Sequence, residues 1–232
     1  IQFVRVESVE VDGDAGDDHM MGGDGDDIMA GGAGADTILG GAGSNTASYA
    51  SSSAGVMVNL ETGANSGGDA EGDSLTDIHY LIGSDHNDTL TGDSGHNHMM
   101  GGTGTDSMEG GEGNDTLLGG DDFDHVHGGE GDDDLSGEGG DDHMMGGAGS
   151  DTMDGGLGND TLIGGEDADT FKLSFGMGHD TISDFEEDTD HLVYDGAAET
   201  GIVLSANDDG DRVITLTDGS TVTFSGIPHD TD

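Results

Sequence analysis

The sequence predicts an all-β protein in which short strands stack into a β-solenoid. A nine-residue repeat, Gly-Gly-x-Gly-x-Asp-x-apolar-x, runs through ten consecutive copies over residues 83–172, and four earlier copies span residues 13–48. None of the fourteen residues at position eight is charged. Because side chains alternate between the two faces of a strand, this position alone points inward in a three-residue strand. A flexible linker would have no reason to keep one position apolar, so we expect a folded repeat.

Each nonad divides into a turn and a strand. Glycine reaches positive φ and tolerates a crowded backbone, so positions one to six are expected to bend tightly with their carbonyls turned inward. Positions seven to nine are expected to form a short strand with position eight in the core. That core column consists of Met20, Met29, Ile38, Ala47, Leu90, Met99, Met108, Leu117, Val126, Leu135, Met144, Met153, Leu162 and Phe171.

Position six carries a carboxylate in twelve of the fourteen nonads, and Asn45 and Asn97 are the exceptions. A carboxylate beside inward-facing carbonyls forms the mixed oxygen set that calcium prefers. The predicted side-chain ligands are Asp18, Asp27, Asp36, Asp88, Asp106, Asp115, Asp124, Asp133, Asp142, Asp151, Asp160 and Asp169. The predicted main-chain ligands are the loop carbonyls of Gly22, Gly31, Gly101, Gly110, Gly113, Gly128, Gly131, Gly146, Gly149, Gly155 and Gly158.

These nonads resemble the repeats-in-toxin (RTX), or haemolysin-type, calcium-binding repeat, whose signature is this nonapeptide. The resemblance implies a right-handed parallel β-roll in which two nonads make one turn. It also implies that each ion lies between loops 18 residues apart on one edge, so that Asp133 would share ions with Asp115 and Asp151. On that scheme the chain binds about ten Ca²⁺ ions, about eight of them in the long block.

The composition suggests that folding depends on those ions. A net charge of −49 with only 30% hydrophobic residues predicts disorder unless cations neutralise the loops. We therefore expect a calcium-free chain that is largely unfolded. Extracellular modules bind calcium at about 10⁻⁴–10⁻³ M, which favours a secreted or cell-surface protein. The acidity argues against nucleic-acid partners, and the sequence has no transmembrane run.

The sequence suggests five segments. We expect an N-terminal capping strand at 1–12, a first β-roll block of four nonads at 13–48, a β-rich insertion at 49–82, a second block of ten nonads at 83–172, and a C-terminal cap at 173–232. Residues 212–217 and 220–225 flank Asp218-Gly219, a hairpin signal. With the Asp-x-Ile-x-Asp-Phe element at 180–185, this segment resembles the small antiparallel cap of serralysin-like RTX proteins, which implies a secretion-signal region. Residues 228–232 lack the apolar tail expected of such a signal.

The sequence favours a binding module over an enzyme. It contains no His-Glu-x-x-His, no Gly-x-Ser-x-Gly and no cysteine, so we predict no catalytic activity. The first interpretation is an RTX module that folds on extracellular calcium and serves the secretion, folding and stability of an exported protein. Its partners would be an upstream cargo domain and the type I secretion machinery. The alternative is a stand-alone structural or interaction protein, such as a surface-layer, adhesin or coat component.

Three copies of His-Met-Met, starting at His19, His98 and His143, raise the question of a second metal. The middle Met is the core position, so only the His and the last Met face outward. His125 and His143 are one turn apart on one face, about 4.8 Å by the strand spacing. These residues either bind a transition metal or form a solvated ladder beside aspartates.

Overall fold

The computed structural model describes residues 8–174, 176–194, 203–207 and 211–225, and this part of the chain is almost entirely strand and turn. It contains one short 3-10 helix, Gly68–Ala70. Its strands are β1 (Glu10–Asp12), β2 (His19–Asp24), β3 (Ile28–Ala30), β4 (Thr37–Ala42), β5 (Thr46–Ser48), β6 (Met57–Asn59), β7 (Ser74–Thr76), β8 (Tyr80–Ile82), β9 (Thr89–Thr91), β10 (His98–Thr103), β11 (Ser107–Glu112), β12 (Thr116–Asp121), β13 (His125–Glu130), β14 (Asp134–Gly139), β15 (His143–Ala148), β16 (Thr152–Asp154), β17 (Thr161–Glu166), β18 (Thr170–Leu173), β19 (His179–Ile182), β20 (His191–Tyr194), β21 (Val203–Ala206), β22 (Arg212–Thr215) and β23 (Thr221–Phe224).

The strands form a parallel solenoid with two faces. One face is a ten-stranded sheet in the order β1-β3-β5-β8-β10-β12-β14-β16-β18-β20. The other face carries a three-stranded sheet, β2-β4-β7, and a ten-stranded sheet, β6-β9-β11-β13-β15-β17-β19-β23-β22-β21. In the repeats, paired residues are 18 apart, as in Met99↔Leu117 and Met108↔Val126. Two nonads therefore make one turn, and the predicted all-β parallel β-roll is confirmed.

The core is a single column of apolar side chains between the two faces. All fourteen residues at position eight are buried, at 5% exposure or less. Positions seven and nine are exposed or half-buried in β11 and β13, for example, although Thr46 at position seven of β5 is buried. The same cluster continues into the insertion through Val58 and Ile78, and into the cap through Ile182 and Val222. The apolar period read from the sequence thus defines one continuous core.

The strands of the long block are longer than the nonad pattern predicts. Most of them run for six residues, through positions seven to nine and on through positions one to three of the next nonad, as β13 does. Gly128 is consequently a second inward-facing, buried position. Gly129 adopts φ 117° yet still pairs with Gly147, so it bends the strand without ending it. Where the strands are this long, the prediction of a turn over positions one to six is wrong for the first three positions; after β9 and β16, which end at position nine, positions one to three are not in a strand.

The insertion interrupts only one face of the solenoid. On the continuous face β5 pairs directly with β8, with Thr46 opposite Tyr80. On the opposite face β7 adds to β4, whereas β6 adds to β9, so the sheet is broken there. Tyr49, Val56 and Ala70 are buried at 3% exposure or less. The insertion is therefore a packed excursion from the roll.

The two ends of the solenoid differ. At the N-terminal end β1 adds to β3; residues 1–7, which include part of the expected capping strand, lie outside the described residues. At the other end β22 and β23 form the antiparallel hairpin expected around Asp218-Gly219, and β23 pairs in parallel with β19. Covering the last parallel strand with a hairpin protects an edge that would otherwise be open to pairing. The tail at 228–232 also lies outside the described residues.

Candidate metal centre

The aspartates at position six form hydrogen-bonded ladders along the edges of the solenoid. In each ladder, Oδ1 of one carboxylate accepts the backbone N–H of the position-six residue 18 positions earlier. The N–H of Asp115 donates to Asp133 at 2.7 Å, and the N–H of Asp133 donates to Asp151 at 2.9 Å. On the other edge Asp106 donates to Asp124 at 2.8 Å, and Asp124 donates to Asp142 at 2.8 Å. The structure therefore brings the predicted ligands together in successive turns.

The second oxygen of most of these carboxylates has no partner. Oδ2 is buried and accepts no hydrogen bond, within the described part of the chain, in Asp18, Asp27, Asp36, Asp106, Asp115, Asp124, Asp133, Asp142, Asp151 and Asp160. A buried charged oxygen without a donor is strongly unfavourable. This repeated deficit is what a bound cation would remove.

In most nonads the first glycine lies close to both the position-six side chain and a carbonyl oxygen of the next turn. A Cβ on Gly128 would lie within 3.0 Å of both Asp133 Oδ2 and the carbonyl oxygen of Gly146. The same arrangement recurs at Gly110, beside Asp115 Oδ2 and the Gly128 carbonyl. Only a residue without a side chain fits here. The resulting pair of carboxylate and carbonyl oxygens is the donor chemistry of a hard divalent cation.

The predicted main-chain ligands fall into three groups. The carbonyls that lie beside the first glycine of the preceding turn are those of Gly31, Gly101, Gly110, Gly128, Gly146 and Gly155. The carbonyls that face a glycine in the next turn are those of Gly113, Gly131 and Gly158. For Gly22 and Gly149 the close approach is that of a Cβ added to the glycine, which would meet Asp27 Oδ2 and the Gly131 carbonyl oxygen respectively.

Two of the predicted side-chain ligands differ from the other ten. Asp88 Oδ2 accepts hydrogen bonds from the N–H and the hydroxyl of Ser84, which stands at position two of its nonad. Asp169 is buried and accepts the N–H of Asp151 at 3.0 Å, but its Oδ2 is not among the orphaned oxygens. The orphaned set is therefore ten of the twelve predicted aspartates.

Beside the insertion, hydrogen bonds between protein groups take the place of an ion. Asp73 accepts the N–H of Asp36 at 2.8 Å and so takes the next place in that ladder. Its Oδ2 accepts the hydroxyl of Tyr49 at 3.0 Å. In the neighbouring ladder Asn45 accepts the N–H of Asp27, while its Nδ2 donates to the carbonyl of Asp77 at 3.0 Å. A hydroxyl and an amide thus satisfy the positions that are orphaned elsewhere.

Three ladder members were missed by the sequence analysis. Besides Asp73, Asp180 accepts the N–H of Asp160 and Asp190 accepts the N–H of Asp169, both at 3.1 Å. Each begins an Asp-x-apolar-x tetrad, but none has glycine at both position one and position two of a nonad, so the only signal that they share with the repeats is a tetrad too common to identify them. The ladder therefore extends past the last nonad into the cap.

A second ladder, also missed, runs along position five. Asp132 Oδ1 accepts the N–H of Ser150 at 2.9 Å, and His96 Nδ1 accepts the N–H of Asn114 at 2.8 Å. These side chains are exposed. The ladder orders the outer edge of each turn without contributing an orphaned oxygen.

Burial makes the ladder carboxylates hard to ionise without a cation. Desolvation raises the pKa of Asp124, Asp142 and Asp151 to about 7, although the hydrogen bond from the backbone N–H opposes the shift. The same cause raises the pKa of Asp106 and Asp115 to about 6. A cation at Oδ2 would favour the charged form and reverse this effect.

The ladders supply few side-chain ligands at any one point. Among the described residues, no three His, Asp or Glu side chains converge closely enough to hold a metal ion. An ion on the ladder must therefore take many of its ligands from main-chain carbonyls, as the glycine-rich turns allow.

The fold and the ladders define a class: a parallel β-solenoid with a buried carboxylate in nearly every nonad. The family model for the RTX calcium-binding nonapeptide repeat matches residues 12–47, 82–117, 109–144, 136–171 and 145–182. These segments cover more than half of the chain, which therefore belongs to the RTX calcium-binding repeat family. Repeats of this family bind Ca²⁺, and they are generally structural.

Two examples represent the solved structures that the chain resembles. The AlgE6R3 subunit of the Azotobacter vinelandii mannuronan C5-epimerase is 29% identical, with a TM-score of 0.38, over 45% of this chain and 72% of that one. The extracellular lipase LipA of Serratia marcescens is 18% identical, with a TM-score of 0.29, over 68% of this chain and 40% of that one. No curated protein matches. In the described residues, no helix has the length and apolar character needed to cross a membrane.

Proposed function

We propose that this chain is a calcium-binding β-roll module that folds on binding extracellular calcium and serves the secretion, folding and stability of an exported protein. The observation that carries the proposal is the set of ten buried carboxylate oxygens without a hydrogen-bond donor. A chain with a net charge of −49 cannot keep such a core of carboxylates ionised without counter-ions.

The proposed ligands are the Oδ2 atoms of those ten aspartates and the carbonyl oxygens of the glycines beside them. Asp133 illustrates the arrangement: its Oδ1 accepts the N–H of Asp115 in the preceding turn, so Oδ2 and the carbonyl oxygen of Gly146 are left to bind an ion. About ten ions would neutralise about twenty charges. Asp88 is left out of this set because Ser84 already satisfies its second oxygen.

The segments have different roles in this scheme. The blocks at 13–48 and 83–172 bind calcium, whereas the insertion at 49–82 closes its own ladder positions with Tyr49 and with peptide groups. The strand before residue 13 and the cap after residue 172 cover the two ends. The cap is also the proposed secretion-signal region, recognised by type I export machinery, and the cargo is an upstream domain. The module itself performs no catalysis.

The test is a calcium titration of the full chain from a chelated start, followed by far-UV circular dichroism, with Mg²⁺ as the control ion. We expect a cooperative gain of β structure at sub-millimolar to millimolar Ca²⁺, and none with Mg²⁺, which requires a smaller octahedral site. A chain that is already β-structured in chelator would contradict calcium-coupled folding. Equal responses to both ions would contradict the proposed ligand set.

A further inference from the structure

A group of histidines lies on the outer surface of the solenoid, away from the aspartate ladders. His125 and His127 project from β13, and His143 and Met145 project from the adjacent β15. Glu109 lies on β11, on the other side of His127. We call these five residues the histidine patch. They face outward because Val126 and Met144, which alternate with them, are buried.

Strand pairing places the patch residues in a compact array. His125 is opposite His143, and His127 is opposite Met145. Paired strands are about 4.8 Å apart, and side chains two residues apart on one strand are about 6.6 Å apart. Four side chains with nitrogen or sulfur donors therefore occupy the corners of a rectangle of these dimensions. Imidazole rings standing on such corners can reach a common point above the sheet.

The side chains already interact in pairs. The rings of His125 and His143 are 5.8 Å apart between centroids and are nearly perpendicular, at 88°. His127 Nδ1 lies 3.0 Å from Glu109 Oε2. Together with Ser107, these residues line a shallow surface depression.

We propose that the histidine patch binds one divalent transition-metal ion of the Zn²⁺ or Cu²⁺ class through the imidazoles of His125, His127 and His143. Met145 or Glu109 completes the coordination. Imidazole and thioether donors suit these ions, whereas calcium takes oxygen, so the two kinds of site select different metals. In the side-chain conformations of the described residues, no three ligand side chains converge on one point. His127 must rotate away from Glu109 to bring its imidazole towards those of His125 and His143. Exposed side chains make such rotations within nanoseconds.

The surroundings distinguish this His-Met-Met copy from the other two. His98 pairs with Tyr80 on one side and with Thr116 on the other, and its ring lies 5.0 Å from that of Tyr80. His19 pairs with Thr37. Only His143 has a His-x-His strand beside it. His98 is the control, because it is an outward histidine of the same motif whose strand partners are Tyr80 and Thr116. The two histidines that share its surface depression, His79 and His96, each accept a backbone N–H through Nδ1.

The experiment is calorimetric titration of the full chain with Zn²⁺ in saturating Ca²⁺, which keeps the ladder sites filled and the roll folded. We expect one saturable Zn²⁺ site, an affinity at least about tenfold lower in His127→Ala and in His143→Ala, and no change in His98→Ala. Far-UV circular dichroism in Ca²⁺ verifies that each variant is folded, so that a failure of calcium-coupled folding is distinguished from a failure of this site.

Ring resonances of the histidines give a second, site-specific readout. Saturating Zn²⁺ should shift the ¹⁵N–¹H ring correlations of His125, His127 and His143 and leave that of His98 in place. Zinc binding that survives unchanged in the triple variant His125→Ala/His127→Ala/His143→Ala would assign it to side chains outside the histidine patch and overturn the proposal. So would an equal loss of binding in His98→Ala, or no saturable binding at all.

Discussion

Asp133→Asn is the sharpest test of the proposed calcium ligands, because it changes one oxygen and little else. Asp133 is 3% exposed; Oδ1 accepts the N–H of Asp115, and Oδ2 is orphaned. Asparagine keeps the oxygen that holds the ladder and replaces Oδ2 with an amide nitrogen, which donates and cannot ligate calcium. The chain already contains this arrangement at Asn45, where Nδ2 donates to carbonyl oxygens.

The magnitude follows from linkage between binding and folding. One ion at a hundredfold excess over its Kd adds about 2.7 kcal/mol to the free energy of unfolding. If Asp133 shares ions with Asp115 and Asp151, two ions are weakened, and the loss approaches about 5 kcal/mol. For a chain of this size that corresponds to a fall in Tm of about 10–20 °C. Asp133→Ala should lose a further 1–3 kcal/mol, roughly, because it leaves the N–H of Asp115 unsatisfied.

Thermal unfolding in fixed Ca²⁺, together with calcium stoichiometry from calorimetry, measures both quantities. The matched control is Asp132→Asn, which removes one negative charge from the residue just before Asp133 and keeps the oxygen that accepts the N–H of Ser150. Asp132 is exposed. We expect the control to retain the calcium stoichiometry and nearly all of the stability. Equal calcium binding by the two variants would refute the assignment of Asp133 as a ligand.

Three further predictions concern other parts of the ladders. Burial raises the pKa of Asp124 and Asp142 to about 7. The folded, calcium-free roll therefore binds more protons than the unfolded chain, and its free energy of unfolding should rise as the pH falls from about 7 towards 4. Circular dichroism in chelator should therefore show more β structure at pH 5 than at pH 7.5, and identical spectra would contradict this. Gly128→Ala should displace Asp133 Oδ2 and the carbonyl oxygen of Gly146, and calorimetry should then show a lower calcium stoichiometry. Gly139→Ala should leave the stoichiometry unchanged, because a Cβ at that position meets nothing closer than 3.7 Å. Tyr49→Phe should lower the free energy of unfolding in Ca²⁺ by about 1–3 kcal/mol in urea titrations, because it orphans a buried oxygen of the insertion; an unchanged midpoint would mean that the hydroxyl is dispensable.

The sequence carried enough information for the repeated strands and their core because the repeat encodes local rules, whereas two nonads to a turn was implied by the family resemblance. Position eight alternates with polar neighbours, so residues such as Met99 and Leu117 could be assigned to one core column and are buried there. The stacking of the position-six aspartates in successive turns was implied by the family resemblance and not by the period itself, and Asp115, Asp133 and Asp151 do lie in one ladder. Their role as calcium ligands remains a prediction.

Contacts that do not follow the period could not be predicted. Tyr49 reaches Asp73 only because the insertion folds back on the roll, and nothing in the repeat specifies that path. Asp180 and Asp190 lack the glycine pair that marks a nonad, and an Asp-x-apolar-x tetrad alone is too common to be diagnostic. The length of the strands could not be predicted either, because a glycine pair can either continue or end the pairing of parallel strands. At Gly129 the pairing continues, with Gly147 as the partner.

Because one sheet continues across the insertion, the turns on either side of it are in contact through paired strands. The insertion differs from the other turns in its hydrogen bonding. In stacked repeats each turn gains stability mainly from its two neighbours, so order spreads outward from whichever turn is most stable on its own. In the turns around Tyr49 and Asn45, side-chain donors already make these hydrogen bonds, whereas the turns on either side have carboxylate oxygens without a donor. We therefore expect the turns beside the insertion to become ordered first as calcium rises, and order to spread from them in both directions.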